Sequence, residues 1–230
     1  MKFKNLYLIG AGGIGSALLE RVVRLLQYHP NGTQNIVLIE KDTFSESNLK
    51  RQMCSVLDIG KNKATALLET YGLFHINVVE KFINPDTIDQ IFENVSCDPA
   101  SRSLIVMAVD NDATRKLIYT YLEENQQLQF VIINSTNGYS KYQTSLHIPG
   151  LTVSPLKRYS NIATPDDYIP GGCAEETPST PQLLVANSGA AFTVLLIVNS
   201  LLENEKFHDE YIGDVLTGQQ KGIGVPIKLK

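Results

Sequence analysis

The chain is poor in the residues that would make it a disulfide scaffold, a zinc protein or a nucleic-acid binder. Its three cysteines, Cys54, Cys97 and Cys173, stand far apart with no CxxC pair. That excludes a disulfide framework and a four-cysteine zinc site, so no structural zinc is expected, and it fits a reducing, cytoplasmic setting. Lysine and arginine number 20 against 24 acids, a net charge of −4. Bulk electrostatics therefore offer no attraction to nucleic acid or to an anionic membrane. The four histidines share no metal-ligand spacing, and no repeat or low-complexity tract is visible. The apolar part of MKFKNLYLIG is too short for a secretory leader, so none is expected.

What remains is an ordinary globular composition, 43% hydrophobic and 19% charged over 230 residues, enough for one large α/β domain. Apolar runs at Leu6–Gly10, Ile36–Glu40, Ile76–Val79, Leu104–Val109 and Phe130–Asn134 read as buried strands. Between them, Ser16–Leu26, Ala64–Tyr71 and the stretch around Leu117–Leu122 carry apolar residues at helical spacing. Alternation of this kind predicts right-handed βαβ units, a mainly parallel Rossmann-like sheet with helices on both faces, and ligands at the strands' carboxyl ends. From Gly138 the pattern changes. Tyr139–Ile148 alternates as an antiparallel strand, and Pro149–Pro181 reads as a long loop. Leu183–Leu202 is long enough to span a bilayer, but Asn187, Ser188, Gly189, Thr193, Asn199 and Ser200 interrupt it. We read it as a helix buried on most of its surface, in the core or in a subunit interface, and Tyr211–Leu216 with Ile223–Leu229 as a closing hairpin. One domain, 1–230, is expected. It comprises a nucleotide-binding half (1–137) and a second half (138–230) with an antiparallel strand, a crossover loop at about 150–181, a long helix at 182–204 and the hairpin.

The chemistry begins at LYLIGAGGIGSALLE, where Gly10, Gly12 and Gly15 match GxGxxG and Gly13 adds a fourth glycine. A strand before and a helix after let backbone N–H groups and the helix dipole receive a phosphate, with Gly13 allowing still closer approach. Glu40 ends the next strand, where an acid commonly accepts ribose hydroxyls. That much does not separate NAD from ATP. The next segment, EKDTFSESNLKRQ, does bear on it. Asn48, Arg51 and Gln52 follow the acid directly, and Lys63 opens the next helix. Two cations converging there suit a triphosphate, which hydride transfer does not need. Asp110 stands at the end of the fourth strand, placed to hold Mg²⁺ against phosphate oxygens, while Asp112 reads as the N-cap of the following helix and Asn111 as either.

Taken together these pieces resemble the ThiF/MoeB/HesA family, which includes the ubiquitin-activating enzymes. The resemblance rests on GAGGIGS (Gly10–Ser16), Glu40 to Asp42, SNLKRQ (Ser47–Gln52), DIGKNKA (Asp58–Ala64) and VDNDATR (Val109–Arg115), then PSTPQLLVANSGAA and DVLTGQQKGIGVP, in the family's order. It implies ATP·Mg²⁺-dependent adenylation of the C-terminal carboxylate of a small ubiquitin-like or sulfur-carrier protein ending in Gly-Gly, by a homodimer. Glu40 would take the ribose, with Asp42 beside it. Asn48, Arg51, Gln52 and Lys63 would handle the triphosphate, and Asp110 with Asn111 the metal side. The family's paired CxxC motifs are absent, and its arginine-bearing helix before the first strand has no counterpart in these residues. Cys173, in PGGCAEETPSTP, reads either as a nucleophile for acyl transfer or a persulfide carrier, or as a packed thiol. Cys54 and Cys97 read as structural. Competing functions are an adenylating dehydratase of a modified tRNA base, an NAD(P)-dependent dehydrogenase and a nucleotide-binding scaffold without turnover.

Overall fold

The structure, a computed structural model, describes residues 1–164 and 182–229. Eight strands form one sheet in the order β3-β2-β1-β4-β5-β6-β7-β8. The strands are β1 (Phe3–Ile9), β2 (Ile36–Ile39), β3 (Asn77–Val79), β4 (Arg102–Met107), β5 (Phe130–Asn137), β6 (Lys141–His147), β7 (Glu210–Asp214) and β8 (Gln219–Ile223). β1 to β5 pair in parallel, and β6, β7 and β8 add on antiparallel. The fold is thus the Rossmann-like sheet with an antiparallel C-terminal extension that the sequence predicts.

The register explains why the first strands read as unbroken apolar runs. Ile36, Leu6, Leu104 and Val131 lie in one row across β2, β1, β4 and β5. Alternate residues of each strand enter different cores, so neither face sees water. On one face α1 (Gly13–Tyr28), α2 (Lys63–Tyr71) and α7 (Leu184–Leu202) cover Leu6, Leu8, Leu104, Val106 and Ile133. On the other, α3 (Ile88–Ile91), α4 (Asp112–Glu124) and α6 (Ser160–Ala163) cover Tyr7, Ile9, Ile105, Met107 and Ile132. α5 (Pro155–Arg158) precedes α6 and sits on the same face through Leu156.

Three details differ from the sequence reading. Part of the expected 150–181 loop is helical: Ser154 caps α5 by accepting from Leu156 N–H (3.2 Å), and Pro155 supplies a pre-set first helical residue. The short α3, one turn with Ile88 and Ile91 buried, carries too few residues for a periodicity to show. The closing hairpin turns earlier than expected. Gly218, at φ +67°, provides the left-handed residue of the turn, so Asp214 pairs with Gln219 and the second strand is Gln219–Ile223, not Ile223–Leu229. As expected, Leu184–Leu202 forms a helix: α7 is the one described helix long and apolar enough to cross a membrane, and 56% of that stretch is buried inside the protein. It packs on α1, β5 and β6, yet Val185, Phe192 and Leu196 form an exposed stripe.

Candidate functional site

In the sheet order β1 lies between β2 and β4, and these neighbours follow in opposite chain directions, which opens a crevice beyond the carboxyl ends of β1 and β4. The glycine loop lies there. Gly10 has φ +94°, and a Cβ on it would stand 2.7 Å from the Ala108 carbonyl, just past β4. A Cβ on Gly15 would collide with the Gly10 carbonyl, so this glycine lets the first turn of α1 close over the end of β1. Gly12 is the N-cap of α1, with no side chain capping the helix and no acid in its first turn. The first-turn N–H groups are therefore left for an anion.

Glu40 grips this loop. Its carboxylate accepts from Ala11 N–H (2.7 Å) and Asp42 N–H (2.8 Å). Burial pushes its carboxyl above the usual range, opposed by those two N–H donors and by Lys63. Lys63 is buried at the start of α2, where a cation opposes the helix dipole, and it answers to Asp42 with Nζ 3.7 Å from the carboxylate.

The SNLKRQ segment folds back over the glycines. Asn48 is buried, and its Oδ1 accepts from Ser45 N–H (3.0 Å), which closes a short turn. Its carbonyl then accepts from Arg51 and Gln52 N–H (3.0 and 2.9 Å). Gln52 is buried beside Gly12, and its Oε1 has no hydrogen-bond partner among the described residues. Arg51 donates from Nη1 to Gln182 Oε1 (3.3 Å), just before α7.

Asn187 escaped the sequence reading, which noted it only as a polar interruption in an apolar helix. It is fully buried on α7 and donates to the Arg51 carbonyl (3.0 Å). A Cβ on Gly13 would stand 2.5 Å from its Cγ and Oδ1. Gly13 therefore makes room for Asn187, a helix-packing role in addition to the phosphate approach expected for it. Asn187 Oδ1 is likewise buried without a partner among the described residues. Two carboxamides, each with a buried acceptor oxygen that lacks a donor among the described residues, thus flank Gly12 and Gly13.

Past β4, Asp110 is exposed and Asn111 is the N-cap of α4, its Oδ1 accepting from Thr114 N–H (2.9 Å). This corrects the expectation for Asp112. Asp112 is the first helical residue, pairs with Arg115 and accepts from Asn161 (2.8 Å). Arg115, to which the sequence reading gave no role, is buried and ties the turn together by bonding Val109 O and Asn134 Oδ1 as well. No group of three metal-ligating side chains occurs among the described residues. An acid that shares Mg²⁺ with substrate phosphates needs no such cage, and Asp110 fits that donor set. Cys173 and most of the crossover region lie outside the described residues. Cys54 is half-buried against the core, and burial pushes its thiol up. Cys97, expected to be structural, is exposed.

The sequence profile described as the ThiF family matches residues 2–154, two thirds of the chain. No curated protein sequence matches. Among solved structures, PaaA superposes with a TM-score of 0.66 at 16% identity, over 94% of this chain and 71% of PaaA. E. coli MccB with succinimide gives 0.66 at 17% identity over 97% of this chain. E. coli MccB with AMPCPP and MccA gives 0.66 at 18% over 96%. The chain spans 64% of the length of these MccB chains.

Proposed function

The chain belongs to the ThiF family, and from that premise we propose that it uses ATP to adenylate the C-terminal carboxylate of a small peptide or carrier protein. The observation that carries the reading is the glycine loop at the carboxyl edge of the sheet, whose helix lacks a cap and which Glu40 grips with Lys63 close by. A carboxylate oxygen attacks the α-phosphorus, the bond to the β-phosphate bridging oxygen breaks, and pyrophosphate leaves. The uncapped N–H groups of α1 hold phosphate oxygens, and Glu40 orients the ribose while fixing the loop through Ala11. Arg51 and Lys63 offset the charge that develops on the departing pyrophosphate. Asp110, with Asn111 beside it, would hold Mg²⁺, which supplies charge neutralisation at the phosphates when bound. The E. coli MccB structure that contains AMPCPP and MccA supports a nucleotide and a small peptide or carrier as the two substrates.

The finer reading follows the family resemblance. The carrier is ubiquitin-like and ends in Gly-Gly, Cys173 takes the acyl group or carries sulfur, and the enzyme is a cytoplasmic homodimer that uses the exposed stripe of α7. ATP–pyrophosphate exchange with candidate carriers tests it. We expect exchange that falls about 10²- to 10³-fold in Arg51→Ala and Asp110→Asn. Tight NADH binding unaffected by Arg51→Ala, without AMPCPP binding, would establish a dehydrogenase instead.

A further inference from the structure

Beside the site described above, on the α4 face of the sheet, lies a second polar cavity of about 210 Å³. That is well above the roughly 10–15 Å³ that one water requires. It lies along the same carboxyl edge. Asn134 on its wall pairs with Met107, the last residue of β4, and Asp112 follows Asp110 by two residues. A substrate carboxylate arriving at the phosphates past Asp110 comes in beside this cavity.

Its lining has a definite chemistry. The one buried cation, Arg115, is already answered: Asp112 meets its charge, and Asn134 Oδ1 and Val109 O take its other nitrogens. A carboxylate or ammonium brought in would be buried without a counter-charge. An apolar group would strand the donors and acceptors that line the wall. Asn134, with Oδ1 engaged, presents its NH₂. Asn161, with its NH₂ on Asp112, presents Oδ1 (2.8 Å to the acid from Nδ2). Thr136 adds a hydroxyl, while the Tyr159 ring lines the wall with its own hydroxyl turned to Arg158 and Glu210. A group that both donates and accepts satisfies such a wall.

Building on the adenylation reading, we infer that this cavity receives a neutral amide or hydroxyl side chain from the last residues of the acyl substrate, and so sets its sequence preference. The test is peptide binding to the full chain in the presence of AMPCPP. The probes are acetyl-Ala-Ala-X and acetyl-Ala-X-Gly-Gly, with X as Asn, Ser, Asp, Leu or Gly. Affinity is followed by the ¹⁵N–¹H signals of the Asn134 side-chain amide. Asn and Ser peptides of one series are expected to bind at least fivefold tighter than the Asp, Leu and Gly peptides, and to move the Asn134 signals. Thr136→Val, at a residue whose side chain makes no hydrogen bond among the described residues, should cut that preference to under twofold while AMPCPP affinity holds. Equal affinity for all X, an unmoved Asn134 amide, or no peptide binding at 10 mM despite AMPCPP binding each overturns the inference and leaves the nucleotide reading intact. Failure of AMPCPP itself to bind overturns the adenylation reading, and the inference with it.

Discussion

Alanine at Gly13 should destabilise the protein through a residue 174 positions away. Its Cβ would lie 2.5 Å from Cγ and Oδ1 of Asn187, a fully buried side chain on α7. Forcing that contact apart costs about 1–3 kcal/mol as overpacking. Moving the carboxamide also breaks its 3.0 Å bond to the Arg51 carbonyl, at roughly 1–3 kcal/mol for a partly buried acceptor left unmet. Replacing glycine inside a helix returns at most about 1 kcal/mol. The net is about 3 kcal/mol, or some 6–12 °C in Tm at the ~2–4 °C per kcal/mol of a domain this size. Asn187→Ala alone removes the same bond but also a buried unmet oxygen, so it should cost only about 1 kcal/mol. In that background the clash has no second atom, and Gly13→Ala should cost under about 1 kcal/mol, a coupling of about 2 kcal/mol. Urea unfolding of the four proteins measures it. If Gly13→Ala costs the same in both backgrounds to within about 0.5 kcal/mol, α7 does not seat on the glycine loop and the site as built here is wrong.

Glu40→Ala frees the Ala11 and Asp42 N–H groups. AMPCPP affinity should fall about 10- to 100-fold by calorimetry, from the ~1.5–3 kcal/mol of hydrogen bonds to a charged group, and unchanged affinity would remove Glu40 from the site. Arg115→Met leaves Asp112 without its buried partner. We expect a loss of about 3–5 kcal/mol in urea unfolding, and a loss below 1 would show that the pair is not what holds the turn before α4. Asp58 carries the opposite pH signature to Glu40. Ser55 donates to it from backbone N–H and hydroxyl (2.8 Å each) and holds its carboxyl below the ordinary value of 3.8. Its contribution is therefore full above 3.8 and lost as pH falls through the lowered value. Asp58→Asn should be less stable than the parent at pH 7 and match it near pH 2, and a gap that persists at pH 2 contradicts the charge-assisted turn.

The parallel half of the fold was legible because β1, β2, β4 and β5 are buried on both faces, which forces unbroken apolar runs, and because GAGGIGS signals a strand, a turn and a helix start within seven residues. The hairpin register was less legible, since Gln219–Ile223 lies at an exposed sheet edge and its polar residues carry no burial pattern. Asp112 misled because an acid and an amide at consecutive positions offer the same capping oxygen. Only the backbone of the turn, with Arg115 drawing Asp112 away, assigns the cap to Asn111. By itself, then, the sequence determined the sheet, the loop and the acid and cations that follow it, all of them local patterns of burial and backbone chemistry. The tertiary structure decided what those residues touch. It set Asn187 against Gly13, left Gln52 unsatisfied beside Gly12, and placed a polar cavity beside Arg115, because those contacts join segments that are separate in the chain, where no periodicity reaches.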